Sequence, residues 1–79
     1  MSPTLFRERG YRFYFFSREE TRMHVHVQHA DGEVKFWLSP EVSLADSCGL
    51  SPQAIKVVET MVRNHLEEIC DAWRKHFPG

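Results

Sequence analysis

Apolar and polar residues alternate with a period of two through the first half of the chain, a pattern typical of half-buried β-strands. The alternation is clearest in three runs that are rich in aromatic and β-branched residues: 11–16, 23–29 and 33–38. A shorter run at 4–7 precedes a turn signal at Arg9-Gly10, and the polar segment 17–22 is predicted to be a loop. The first half of the chain is therefore expected to form a small antiparallel sheet.

The dipeptide Asp31-Gly32 separates two of these runs and predicts a β-hairpin, because a type I′ turn needs positive φ at both central residues. With these two residues at the centre, Ala30 pairs with Glu33 and the remaining pairs follow by counting. One face of the hairpin is then the expected core face, with the pairs Val25–Leu38, Val27–Phe36 and His29–Val34. The opposite face carries the pairs His24–Ser39, His26–Trp37 and Gln28–Lys35.

The segment 41–48 fits two structures. Val42 and Leu44 alternate as in an edge strand, whereas Ser39-Pro40-Glu41 could instead cap a short helix that ends at Gly49. The alternation favours the strand.

An apolar stripe with helical spacing runs through the last third of the chain. Ser51 is the expected N-cap, and Pro52 follows at the first helical position, where its missing N–H costs nothing. The stripe recurs at steps of three and four residues: Ile55, Val58, Val62, Leu66, Ile69, Trp73 and Phe77.

The predicted helix is too long for the predicted sheet. Unbroken, it would extend about 37 Å at ~1.5 Å per residue, whereas a strand of about six residues spans only about 20 Å. Either the helix breaks near Asn64-His65, or Trp73 and Phe77 pack on something else, such as a second copy of the chain or a partner protein.

These elements predict one α+β domain over residues 1–79, in which a meander of three to four strands packs against one long C-terminal helix. The composition, 42% hydrophobic and 27% charged in 79 residues, argues against disorder. The net charge is −1, from 10 Lys and Arg against 11 Asp and Glu. This balance gives no broad field that would attract nucleic acid or an anionic membrane.

Cysteine content and the absence of apolar segments indicate the compartment. Cys48 and Cys70 cannot form the disulfide scaffold of a small secreted protein. We find no signal-peptide pattern and no segment near the ~18 apolar residues that span a bilayer. The cytoplasm is the expected location, with no membrane association.

His24 and His26 lie two residues apart on a predicted strand, so both rings project from the same face. Such a pair could share a metal ion, but zinc sites in proteins use three or four protein ligands. The possible further ligands are Glu19, Glu20 and His65, and nothing in the sequence brings them close. A metal site at His24 and His26 is therefore one hypothesis among three, and no cofactor is otherwise indicated.

A second hypothesis is RNA cleavage by the same histidines. His24 and His26 would exchange protons with the 2′-hydroxyl and the leaving oxygen, and Lys35 or Arg12 would hold the phosphate. Trp37 would stack against a base. The third hypothesis is protein binding, because an exposed strand face with a tryptophan, histidines and a lysine has the composition of an interface hot spot.

Short motifs along nearly the whole chain resemble a known family: Gly10–Ser17, His24–Val27, Gly32–Leu38, Gly49–Ser51 and Ala72-Trp73. In this combination the chain resembles the small bacterial proteins catalogued as domain of unknown function 4160. The resemblance implies no established activity. Members are typically encoded beside another small uncharacterised protein, which has prompted the suggestion of toxin–antitoxin-like pairs.

The chain departs from this family in the loop before the histidines. Many members carry Asp-His with prolines there, whereas this chain has Glu19-Glu20-Thr21-Arg22-Met23. A metal or catalytic site that depends on that Asp-His is therefore not carried over.

Together the residues and the resemblance favour a small cytosolic interaction module that binds a small protein partner, a second copy of itself, or both. It would be one component of a toxin–antitoxin-like pair. The expected binding surface comprises His24, His26, Lys35, Trp37, Trp73 and Phe77. The alternative function is a histidine-dependent ribonuclease or phosphodiesterase, with His24 and His26 as the acid–base pair and Lys35 as the phosphate ligand.

Overall fold

A computed structural model describes residues 4–15 and 22–77. In this part of the chain, five strands precede two helices: β1 Thr4–Glu8, β2 Tyr11–Tyr14, β3 His24–His29, β4 Gly32–Trp37, β5 Ser43–Cys48, α1 Pro52–Asn64 and α2 Leu66–His76. The strands form one antiparallel sheet in the order β1-β2-β3-β4-β5. The α+β class and the meander are confirmed, but the predicted three to four strands are too few. Predictions for Phe16, the loop 17–21 and the last two residues lie outside the described residues.

The first hairpin has the turn that its sequence predicts. Arg9 and Gly10 connect β1 to β2, with φ of 52° and 83°. Positive φ at both central residues is the requirement of a type I′ turn, whose twist matches that of the flanking strands.

The predicted register of the β3–β4 hairpin is wrong by two residues. The observed pairs are His24–Trp37, Val25–Phe36, His26–Lys35, Val27–Val34, Gln28–Glu33 and His29–Gly32. Ala30 and Asp31 therefore form the turn, and among the described residues positive φ occurs only at Arg9, Gly10 and Gly49. Because the shift is an even number of residues, every side chain keeps its predicted face.

Close packing, and not turn geometry, explains the glycine at position 32. A Cβ atom on Gly32 would lie 2.1 Å from the backbone oxygen of Cys48 and 2.9 Å from the Cα of Gly49. Gly32 thus lets the end of β5 approach β4. The strand predicted for residues 41–48 is confirmed over Ser43–Cys48. The prediction of an edge strand is confirmed as well, since β5 is last in the sheet order.

The helical segment begins as predicted and is then interrupted. The hydroxyl of Ser51 accepts a hydrogen bond from the backbone N–H of Ala54 at 3.1 Å, and Pro52 occupies the first turn. At His65 the backbone leaves helical geometry, with φ −106° and ψ 17°. The prediction of one long helix is therefore wrong, and the alternative of a break near Asn64-His65 is confirmed.

Both helices pack on one face of the sheet. The buried core combines sheet residues with helix residues: Phe13, Phe15, Val25, Val27, Val34, Phe36, Leu38 and Val42 with Val58, Met61, Val62, Ile69 and Trp73. Both halves of the interrupted helix therefore contribute residues to the same core. Within the described chain, neither helix combines the length and the apolar character that a bilayer-spanning segment needs.

Candidate functional site

The face of the sheet opposite the core carries most of the residues that the sequence singles out. Directly paired residues share a face, so the pairing places two rows of side chains across the five strands. One row is Thr4, Tyr14, His26, Lys35 and Asp46, and the other is Arg7, Arg12, Gln28, Glu33 and Cys48. His24 and Trp37 form a further pair on the same side. We call this surface the polar face.

His24 is the centre of a buried aromatic cluster on this face. Its side chain is fully buried, and its ring meets His26, Trp37 and Trp73 edge-on at centroid distances of 5.1, 5.8 and 5.0 Å. Nδ1 lies 2.6 Å from the carbonyl oxygen of Arg22 and therefore carries a proton, since a carbonyl oxygen only accepts. Nε2 is buried and has no hydrogen-bond partner among the described residues.

His26 is nearly as buried as His24, with 9% of its surface exposed. Its ring stacks on Tyr14 at 5.4 Å, and the guanidinium of Arg12 lies 4.4 Å from the centre of the same tyrosine ring. The strand pairing therefore produces a layered arrangement of arginine, tyrosine and histidine. The two histidines are brought together as predicted, but in packed positions.

Two cations contact the ring of Trp37. The guanidinium of Arg22 and the ammonium of Lys35 are 4.3 and 4.5 Å from its ring centre. Arg22 also donates a hydrogen bond from Nε to the carbonyl oxygen of Ser39 at 3.1 Å. Each contact of this type contributes about 0.5–1 kcal/mol at an exposed site, so the indole and the two cations hold one another in place.

Trp73 and Phe77 are the remaining residues of the predicted binding surface. Both pack against the core at the end of α2. Trp73 is 7% exposed and contacts Phe15, His24 and Phe77, with centroid distances of 5.3, 5.0 and 4.2 Å. Phe77 is half-buried against the core. The end of α2 therefore packs against the start of β3. Trp73 itself is a core residue.

A shallow pocket of about 260 Å³ lies on the polar face between β3, β4 and β5. It is lined by His26, Glu33, Val34, Lys35, Asp46, Ser47 and Cys48. Lys35 stands directly opposite Asp46, and Cys48 is an exposed free thiol. His26 is therefore one of the residues that line this pocket.

The family described as Domain of unknown function (DUF4160) matches residues 10–74. The chain belongs to this family. The resemblance seen in the sequence motifs is therefore confirmed. No curated protein and no solved structure matches the chain.

The DUF4160 match covers the histidine and tryptophan cluster but not the whole polar face. His24, His26, Lys35 and Trp37 lie within it, whereas β1 lies before it. The arginine of the second row at position 7 is therefore outside the segment that defines the family.

The described residues of this DUF4160 protein contain no group of three or more His, Cys, Asp or Glu side chains placed to hold a metal ion. Glu19 and Glu20, two of the further ligands considered from the sequence, lie outside the described residues. His65, the third, has both ring nitrogens engaged by carboxylates.

His65 forms a bridge that the sequence did not reveal. Nδ1 lies 2.9 Å from a carboxylate oxygen of Glu68, and Nε2 lies 2.8 Å from one of Glu8. The ring also packs on Phe6 at 4.4 Å. Both carboxylates favour the doubly protonated imidazolium, Glu68 most strongly, so the pKa of His65 is raised above 6.5. The sequence indicated only a possible break of the helix near Asn64-His65. It could not identify Glu8 as a partner of His65, because the two residues are 57 positions apart.

We predict that the His65 bridge stabilises this DUF4160 protein more at low pH. Because the folded-state pKa is raised from 6.5, the contribution is complete below that value and is lost as pH rises through the folded-state pKa. At about pH 6, His65→Gln should cost about 1 kcal/mol, in the upper range for a partly exposed ion pair. Urea unfolding of both proteins at pH 6 and pH 8.5 tests this. A difference that stays constant or grows at high pH would contradict it.

Proposed function

We propose that this protein is an interaction module that binds a small partner protein through the polar face, as one component of a toxin–antitoxin-like pair. The observation that carries the proposal is the position of Trp37 on the polar face, where Arg22 and Lys35 both contact its ring. Trp and Arg are the residue types that dominate binding energy at protein interfaces. Trp37, Lys35 and Arg12 are all half-buried, and Arg22 is exposed, so a partner can reach them.

The packing of these side chains favours binding. Arg12 over Tyr14 and the two cations over Trp37 are already restrained in the free protein. When a partner binds, these restrained side chains lose less conformational entropy than freely rotating side chains would lose.

The charge pattern of the described residues favours a different protein over a second copy of this chain. Within residues 4–15 and 22–77, the polar face and its edge carry Arg7, Arg12, Arg22 and Lys35 together with Glu33 and Asp46. A two-fold interface uses the same patch on both subunits, which would bring cations against cations. A second argument supports the toxin–antitoxin-like role. The family resemblance implies that the gene has a neighbour that encodes another small protein.

The alternative, a histidine-dependent ribonuclease, is supported less well by the geometry. A general acid or base must come within hydrogen-bond reach of the substrate. His24 is fully buried and His26 is 9% exposed, so both would need the aromatic cluster to open first. The hypothesis of a metal site has the same obstacle.

Native mass spectrometry of the tagged protein, isolated gently from its own host, tests the proposed function. We expect the wild type to carry a stoichiometric small protein, identified by peptide sequencing and encoded beside this gene. Lys35→Ala/Trp37→Ala should reduce its occupancy about tenfold, the effect of losing one hot-spot residue or more. Lys56→Ala/Val57→Ala is the matched control, because it also removes one lysine and one large apolar side chain, both exposed on α1.

The control should retain the partner as the wild type does. A bare monomer from all three proteins would contradict the proposal, as would a homodimer without any other protein. Bound RNA that is lost in His26→Ala would favour the ribonuclease instead. Far-UV circular dichroism of each variant shows whether the fold is intact.

A further inference from the structure

His65 joins the first strand of the sheet to the two helices. Its Nε2 lies 2.8 Å from a carboxylate oxygen of Glu8, the last residue of β1, and its Nδ1 lies 2.9 Å from one of Glu68 on α2. The ring also packs on Phe6 of β1, with 4.4 Å between the ring centres. These contacts connect one edge of the sheet to the junction between α1 and α2.

Both hydrogen bonds need a proton on the histidine ring, because an ionised carboxylate only accepts. The imidazolium of His65 has an N–H on each nitrogen and can donate to Glu8 and Glu68 at the same time. The neutral ring has one N–H, and its other nitrogen carries a lone pair that would face a carboxylate oxygen. Loss of one proton from His65 therefore breaks one of the two contacts.

The contact with Glu8 is the one expected to break. Glu68 lies three positions after His65, at the start of α2, so its contact does not require two distant segments to meet. Glu68 also contributes most to the raised pKa of His65, ahead of Glu8. The neutral ring should therefore keep its proton on Nδ1 and release the carboxylate of Glu8.

The charged groups that act on His65 come from both elements that it joins. Within the described chain these groups are Glu8 of β1 and Glu68 of α2, and both favour the imidazolium, whereas partial burial of the ring opposes it. Arg63, two positions earlier on α1, is paired with Glu59 at 2.9 Å. The ring thus has an acidic surrounding, so its contacts depend on its own proton.

The position of β1 allows it to respond to this change. In the described sheet β1 lies at the edge and pairs with β2 alone, and its register is irregular between Thr4 and Phe6. Segments at the margin of a fold open locally with a lower free energy than its central strands. The strand also lies before the segment that the DUF4160 family matches.

We propose that His65 is a pH-sensitive latch, which fastens β1 to the helices as the imidazolium and lets β1 open locally as the neutral ring. The inference does not depend on the proposed function. Because the pKa of His65 is raised above 6.5, the latch is fully closed below that value and loosens as pH rises through the folded-state pKa. Opening of β1 would uncover the edge of β2, whose backbone groups could then pair with another strand.

Amide hydrogen exchange followed by NMR tests the latch, with each rate divided by the intrinsic rate at the same pH. We expect the protection of the β1 amides, relative to the β3 amides, to fall about fivefold between about pH 6 and pH 8.5. Glu8→Gln should remove this pH dependence, because an amide can accept from the charged ring and donate to the neutral one. Glu67→Gln is the matched control, since it removes one exposed carboxylate from α2 and keeps both partners of His65.

An equal change of protection in β1 and β3 would overturn the inference, since His65 would then affect only the stability of the whole fold. The full pH dependence in Glu8→Gln would overturn it as well. If Glu8→Gln does not fold, an NMR titration of the His65 ring in the wild type decides. The opening of β1 should then follow the titration of that ring with the same midpoint, and a different midpoint would assign the opening to another group.

Discussion

Gly32→Ala is expected to destabilise the protein by about 3 kcal/mol, the upper range for forcing one extra carbon into a packed site. The new Cβ would lie 2.1 Å from the backbone oxygen of Cys48 and 2.9 Å from two backbone atoms of Gly49. All three atoms belong to the backbone, so no side-chain rotation relieves the contact. The end of β5 would have to move away from β4, which would also disturb the pocket that contains Lys35 and Cys48.

Gly10→Ala is the control for this prediction. Gly10 has φ of 83°, but a Cβ there would meet nothing closer than 3.5 Å. Its cost should be only the strain of a left-handed alanine, about 1–2 kcal/mol. Urea unfolding of both variants gives the two midpoints at comparable slope. If Gly32→Ala is no less stable than Gly10→Ala, the close approach of β4 and β5 is wrong.

Trp73→Ala is expected to cost about 3–5 kcal/mol, the range measured for truncation of buried aromatic residues. A domain of this size has a total stability of only about 4–12 kcal/mol, so the substitution should remove about a quarter of it or more. The loss follows from the position of the indole, which contacts Phe15, His24 and Phe77 at the point where α2 closes the sheet.

The same variant separates two roles of this tryptophan. The sequence placed Trp73 on the binding surface, whereas the structure buries all but 7% of it. A core role predicts a weaker near-UV circular dichroism signal and a lower midpoint of urea unfolding. Arg74→Ala, at the next and exposed position of α2, should leave both unchanged. A stable Trp73→Ala protein that fails only to bind its partner would contradict the core role.

Trp37 with its two cations is the aromatic anchor of the proposed interface. His24 is central to all the hypotheses drawn from the sequence, and its ring packs edge-on against Trp37. We therefore expect the cluster to hold the anchor in position even if neither histidine touches the partner.

Local patterns were enough to determine the elements and their faces. A period of two assigns each strand residue to one side of the sheet, and an even register error leaves that assignment unchanged. For this reason His24, His26, Lys35 and Trp37 were correctly grouped, although each partner in the hairpin was wrong. The N-cap at Ser51 was equally local, because its hydrogen bond reaches only three residues along the chain.

Only the tertiary structure decided which of these side chains are buried and which are reachable. The register of β3 on β4 places Gly32 against the backbone of Cys48 and Gly49, two residues that the hairpin sequence does not contain. The break at His65 is held by Glu8, 57 residues away. The burial of His24 depends on Trp73 in α2, and the pair Arg7–Arg12 depends on the register of β1. Periodicity in a sequence determines to which side of a strand or helix each side chain points. Contact and exposure depend instead on distances between segments that meet only in the folded chain.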